Sequence, residues 1–339
     1  MTEGWRNSTV VDDAGVSLVE AMMALALTLL VLGGVFELLT PATALHRMLP
    51  EAAMAQQRLR YAFDRLFGDL MTAGRGPSEQ APGRLGRFLP PIVPYRLGRR
   101  ASPHAHRRPM TDGVSILSVS RQAGAEATTR GPLSGQTATI ELAVGPGCRP
   151  PACGHRTRDM VLVFDESGAW ELFRVSGVSG ARLTVERVHA TDTAFAAGAV
   201  VAPVQLSHYY LDRDRVQLRR HDGWQADFPL VDQLVHLGFH FLGVTAGPNR
   251  CERPATAGQL VDIHLSELND GPWCGPAALP FDGDLLRIRS VVVTVRVQTG
   301  VSELRGVDPR LFARPGSARG GRGWVPDLEV TFTVAPPNL

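Results

Sequence analysis

Hydrophobic positions divide the chain into stretches of different period. Residues 16–39 read VSLVEAMMALALTLLVLGGVFELL, largely apolar on every face and uncharged apart from Glu20 and Glu37. At about 1.5 Å per residue, such a helix spans roughly 30–36 Å, enough for the hydrocarbon core of a bilayer. Residues 51–73 carry a helical period: Leu59, Phe63, Leu66 and Leu70 recur at spacings of 4, 3 and 4. Phe67 and Met71 widen this stripe, and Gln57, Arg60, Asp64 and Arg65 lie off it. The stripe predicts a helix packed on a sheet and stopped by Gly74-Arg75-Gly76-Pro77. Between the two segments, Gly33-Gly34 weakens the helix by about 1 kcal/mol per glycine, and Pro41 and Pro50 can bend or break it.

From residue 113 the period falls to two. Met160–Phe164, Trp170–Val175 and Leu183–Val188 form a predicted meander, with turns at 165–168 and 176–180. Tyr209-Tyr210 and Val216–Leu218 flank Asp212-Arg213-Asp214-Arg215 as a hairpin. Alternation recurs at Val235, Leu237, Phe239 and Phe241, at Val291, Val293, Val295 and Val297, and at Leu328, Val330, Phe332 and Val334. Such alternation marks antiparallel sheet with one buried face. The fold expected is α+β: one long N-terminal helix on antiparallel sheet, with two sheet regions over 113–207 and 208–339. Residues 77–112 interrupt the pattern. They are rich in Pro and Gly, hold seven Arg from Arg84 to Arg108, and read as a partly extended linker.

Composition adds little that discriminates. The 339 residues carry a net charge of +2, with 20% charged and 44% apolar residues, so no global field points to nucleic acid. All 35 basic residues are Arg. Cys148, Cys153, Cys251 and Cys274 fall in two local pairs, which suits an oxidising compartment. Local pairing joins Cys148 to Cys153 and Cys251 to Cys274, one of three possible connectivities; a rival reading is a metal site at Cys148, Cys153 and His155. His104 and His106 form a weaker metal candidate. Asp212, Asp214 and Asp222, or Asp282 and Asp284, are acidic sets without a calcium-loop spacing, and read as turn residues. The sequence holds no GxSxG, HExxH or Walker A pattern, nor GxGxxG in a strand–helix context, so no enzyme activity and no cofactor is expected.

Glu20 is the residue with chemistry to explain. A carboxylate in a membrane helix costs on the order of a few kcal/mol, and such groups generally have a partner. A free α-amino group is largely cationic and would serve. Cleavage between Gly15 and Val16 would create one.

Gly15-Val16-Ser17-Leu18-Val19-Glu20 followed by an apolar run resembles the prepilin (class III) signal of type IV pilins. The resemblance implies an inner-membrane prepilin peptidase that cuts after Gly15 and methylates Val16, with Glu20 as the assembly glutamate that pairs with a neighbour's N-terminus. Two features depart from the family: Val16 stands where Phe or Met is usual, and the leader sets Arg6 against Glu3, Asp12 and Asp13, a net −2. RLRYAFDRLFGDLMTAG resembles the matching segment of PilW-type minor pilins through Arg60, Phe63, Leu66, Asp69, Leu70, Ala73 and Gly74. Pseudopilin J of type II secretion shares part of this pattern, so the resemblance also implies an alternative function as a pseudopilin J-like subunit of a secretion system.

The resemblance implies residues 1–15 as leader, 16–76 as the pilin helix with 16–39 transmembrane, 77–112 as the linker, and 113–339 as an enlarged periplasmic or extracellular β-rich head. It implies a minor pilin acting in filament initiation or at the tip, first in the inner membrane and then on the pilus. The expected partners are other minor and major pilins, the prepilin peptidase, the assembly platform and membrane lipid, with no small-molecule substrate. Nucleic acid is not expected, although the Arg84–Arg108 run motivates an alternative in which the stem displays an adhesive or DNA-binding head.

Overall fold

The structure, a computed structural model, describes residues 17–75, 89–98, 108–118, 126–143, 148, 151–189, 191–247, 249–254, 258–275, 277, 279–318 and 323–339, with backbone alone over 38–45. An N-terminal apolar helix joins a head of antiparallel sheets, the expected α+β arrangement.

Helix α1 runs unbroken for 54 residues, Leu18–Met71. Pro41 and Pro50 do not end it, although each lacks the N–H of one helical backbone bond. Thr72 closes it, and Gly74 turns the chain away at φ +69°. A Cβ at Gly74 would lie 3.0 Å from the Asn338 carbonyl and 3.2 Å from Pro91, so this crowded left-handed position suits glycine.

The strands follow in chain order: β1 Ile92–Val93, β2 Gly113–Ser118, β3 Ala127–Thr129, β4 Thr137–Ala143, β5 Met160–Phe164, β6 Trp170–Ser179, β7 Arg182–Arg187, β8 Val200–Asp212, β9 Gln217–His221 and β10 Asp227–Asp232. Then come β11 Leu234–Gly243, β12 Val261–Ile263, β13 Trp273–Cys274, β14 Phe281–Asp282, β15 Ile288–Val297 and β16 Leu328–Val334.

The meander closes on itself. β8 pairs with β3, which continues through β4, β7, β6 and β5 back to β8, giving a closed six-stranded antiparallel ring. Closure removes open strand edges. Ile140, Leu142, Val161, Val163, Phe173, Val175, Leu183, Val185 and Val201 form its core. The buried pair Glu171–Arg187 lies in the same ring, with the Arg187 guanidinium 5.0 Å from the Phe173 ring centre.

The second half of β8 leaves the ring and pairs with β2 and β9, to which β1 and β10 add. The expected division at 207/208 therefore falls inside β8, a 13-residue strand that belongs to both regions. Part of the expected linker is also structural. Ile92-Val93 pairs with β2, Leu89 and Tyr95 are buried, and Arg96 is 2% exposed with Nη2 2.7 Å from His221 Nε2. Apolar residues between prolines supply that short strand.

The second sheet, β12-β11-β15-β16, faces α1. Val291, Val293, Val295 and Val297 are fully buried beside Leu237, Phe239 and Phe241. Val235 is only half-buried: a register shift between Leu234 and His236 gives the buried position to Leu234. A shift between Val175 and Gly177 likewise lets β6 continue to Ser179, shortening the expected turn to Gly180-Ala181. On α1 the fully buried positions include Ala55, Ala62, Leu66 and Leu70, and Ala73 just past its end is buried too. The buried stripe thus turns about small residues that let the helix approach the sheet, with Phe63 at its margin.

Candidate functional site

The first two turns of α1 begin at Ser17. Its hydroxyl accepts from Glu20 N at 3.2 Å and its carbonyl accepts from Ala21 N at 3.1 Å, which caps the helix. Glu20 stands in the first turn, where the helix dipole favours a carboxylate by about 0.3–1 kcal/mol. Glu20 has no ion-pair partner among the described residues. Gly15 and Val16 lie outside the described residues.

Leu18–Glu37 is long and apolar enough to cross a membrane, and none of it is buried against the head. Leu18 is 77% exposed and Leu30 73%. Soluble proteins rarely leave so large an apolar surface uncovered. Glu37 lies about 25 Å along the axis from Glu20 at 1.5 Å per residue. With Glu37 at one boundary of a roughly 30 Å hydrocarbon layer, Glu20 remains about 5 Å inside the other. In a bilayer the dipole term would be smaller than the cost of that burial.

The upper part of α1 is fixed to the head at three levels. Glu51 Oε2 accepts from Thr299 Oγ1 at 2.7 Å and from Gly300 N at 3.1 Å. Phe63 meets Phe332 of β16 edge-on at 4.7 Å and stacks on Phe67 at 5.4 Å. Asp69 accepts from the Tyr209 hydroxyl of β8 at 2.6 Å, with Arg65 3.9 Å and Arg220 4.0 Å away. Burial, then Asp69, pushes the Tyr209 phenol well above the ordinary tyrosine range.

The sulfurs of Cys148–Cys153 and Cys251–Cys274 stand at disulfide distance, the local pairing. The first closes the turn before β5, and the second ties the segment before β12 to β13. Asp212 and Asp222 are turn acceptors. Asp212 Oδ1 takes Arg215 N, which with the Arg215 side chain lowers its pKa, and Asp222 Oδ1 takes three successive amides, Trp224 to Ala226. Asp282 and Asp284 do meet, together with Asp270. Asp282 accepts from Asp284 N and Gly271 N, and Asp284 sits 3.1 Å from the Arg287 guanidinium, so arginine and amides already occupy these carboxylates. Burial pushes the Asp282 carboxyl up.

One contact has the look of a catalytic pair. Ser115 Oγ lies 3.0 Å from His208 Nδ1. Both residues are buried, and the hydroxyl donates to the Tyr95 carbonyl at 2.7 Å while accepting from Leu97 N. These bonds tie the segment after β1 to β2 and β8. His104 and His106, and most of the Arg84–Arg108 run, lie outside the described residues.

The sequence offered no sign of the Asp69–Tyr209 bond, because its partners are 140 positions apart. Nor did it single out Arg156, Arg158, Arg174 and Arg220, which approach one another only through the path of β8. Comparison with protein-family models, curated proteins and solved structures finds no match to this chain.

Proposed function

We propose that the chain is a pilin-type subunit, PilW-like among minor pilins, anchored in the inner membrane by Leu18–Glu37 and incorporated through that helix into a type IV filament. In this reading the peptidase cuts between Gly15 and Val16, Val16 is methylated, and a neighbour's N-terminal amine neutralises Glu20. The observation that supports it is an apolar helix wholly uncovered by its own head yet continuous with the packed segment, with a carboxylate lacking any countercharge among the described residues. Lipid and neighbouring subunits would cover that surface in turn.

Replacement of Glu20 by Leu tests the pairing. The variant should insert in the membrane as well as the parent but fail to enter filaments, read by shearing pili from cells and probing both fractions. Normal incorporation of the membrane-inserted variant would exclude the mechanism. The ring of β8 with β3–β7 favours a second reading, in which the stem displays a binding head; there Glu20 acts as before and the ring meets the ligand.

A further inference from the structure

On one edge of β8 the pairing changes hands. Val204 is the last residue paired with β5 and His208 the first paired with β9, leaving Gln205, Leu206 and Ser207 between them. A cleft of about 290 Å³ opens at this junction. Four arginines line it, Arg156, Arg158, Arg174 and Arg220, against two acids, Asp159 and Asp222, a balance of +2 (four minus two).

Both acids are occupied from within. Asp159 Oδ2 accepts from Arg156 N at 2.7 Å, and Asp222 pairs with Arg174 at 3.6 Å while accepting its three turn amides. Arg220 rests on the Ser207 hydroxyl and has the Asp69 carboxylate 4.0 Å from its guanidinium. The guanidinium groups of Arg156 and Arg158 are exposed and have no ion pair among the described residues.

The segment that carries them is firmly fixed. Ala152 N bonds Gly180 O at 2.7 Å, Arg158 N bonds Val175 O at 2.8 Å, and Cys153 is tied to Cys148. Ala152, Cys153 and Arg158 all adopt positive φ (42°, 57° and 77°). Non-glycine residues at such angles are uncommon and concentrate at active sites and ligand clamps. Arginines pre-set on a rigid loop lose little entropy on binding a planar oxyanion in two-pronged fashion.

We propose that this cleft binds an acidic segment of a partner protein, whose carboxylates bridge Arg156 and Arg158 while Arg220 and Gln205 line the far wall. Two other anionic surfaces fit less well. A duplex needs a broad basic face, and this one is a small cleft with half as many acids as arginines. The headgroups are remote: Arg220 lies beside Asp69, about 48 Å along α1 from Glu37 at 1.5 Å per residue. That distance rests on the membrane reading of Leu18–Glu37; the charge argument does not.

Fluorescence anisotropy on the full-length protein in detergent, with labelled hexaglutamate and hexaglutamine as probes, tests the proposal. Hexaglutamate should bind and hexaglutamine should not, with affinity falling as salt rises. The Arg156→Gln/Arg158→Gln double variant should weaken hexaglutamate binding about tenfold, and Arg182→Gln, an exposed arginine on β7, should leave it unchanged. Equal binding of the two peptides by the parent protein would overturn the proposal, whatever the folding of the variants. Equal loss in Arg182→Gln, or displacement of hexaglutamate by a lower concentration of duplex DNA, would overturn it as well. None of these readings depends on filament assembly.

Discussion

The Tyr209 hydroxyl donates to the Asp69 carboxylate at 2.6 Å and so joins the last turn of α1 to β8, the strand shared by both parts of the larger sheet. Tyr209 is fully buried, and the flanking arginines stand 3.9 Å and 4.0 Å from Asp69, beyond hydrogen-bond reach. Tyr209→Phe removes the donor and leaves a half-buried carboxylate short of a partner. Hydrogen bonds to charged groups contribute about 1.5–3 kcal/mol, so the variant should lose stability in that range by urea denaturation. An unchanged midpoint would show that the junction does not depend on this bond.

Alkali should loosen the same region. The Tyr210 hydroxyl donates to Asp227 at 2.8 Å, and burial together with that bond pushes its pKa up to about 12. Tyr209 is raised too. An unfolded chain releases a phenol proton near about pH 10, while the folded chain retains it. The contribution is therefore whole below about pH 10 and is lost as pH rises toward the folded value. Denaturation midpoints taken from about pH 8 to about pH 11 should fall at the alkaline end, and the Tyr209→Phe/Tyr210→Phe double variant should show a flatter decline. Equal slopes would contradict the assignment.

The two cysteine pairs should contribute unequally. Cys251 and Cys274 are 23 positions apart and Cys148 and Cys153 only 5. Chain entropy assigns about 3 kcal/mol to the longer loop and roughly 2 kcal/mol to the shorter. Cys251→Ala/Cys274→Ala should thus lower the guanidinium midpoint more than Cys148→Ala/Cys153→Ala. The reverse order would mean that the short pair stabilises the ring through contacts of its own.

Local patterns in the chain carried much of this architecture. Period two located β11, β15 and β16, because alternate residues there face one core; β5 read instead as a continuous apolar run, since both its faces are buried. The stripe at Leu59 to Leu70 found the packed part of α1. The closed ring was not legible. It depends on β8 pairing with both β3 and β5 across long separations, which no local period records. Ile92-Val93 passed for linker because two apolar residues among prolines give no period at all. Glu20 stood out in the sequence because a charge is conspicuous in an apolar run, whereas the arginine cleft is assembled from segments that look like ordinary solvated turns.

The account turns on whether the fifteen residues before Val16 are removed, since only then does a cation arise that Glu20 can meet within the apolar layer. Intact-mass and N-terminal peptide mass spectrometry on protein purified from the native membrane measures this directly. The account predicts a chain that starts at Val16 and carries one methyl group on its α-nitrogen. A chain that still begins at Met1, in cells whose pilins are otherwise processed, would contradict it.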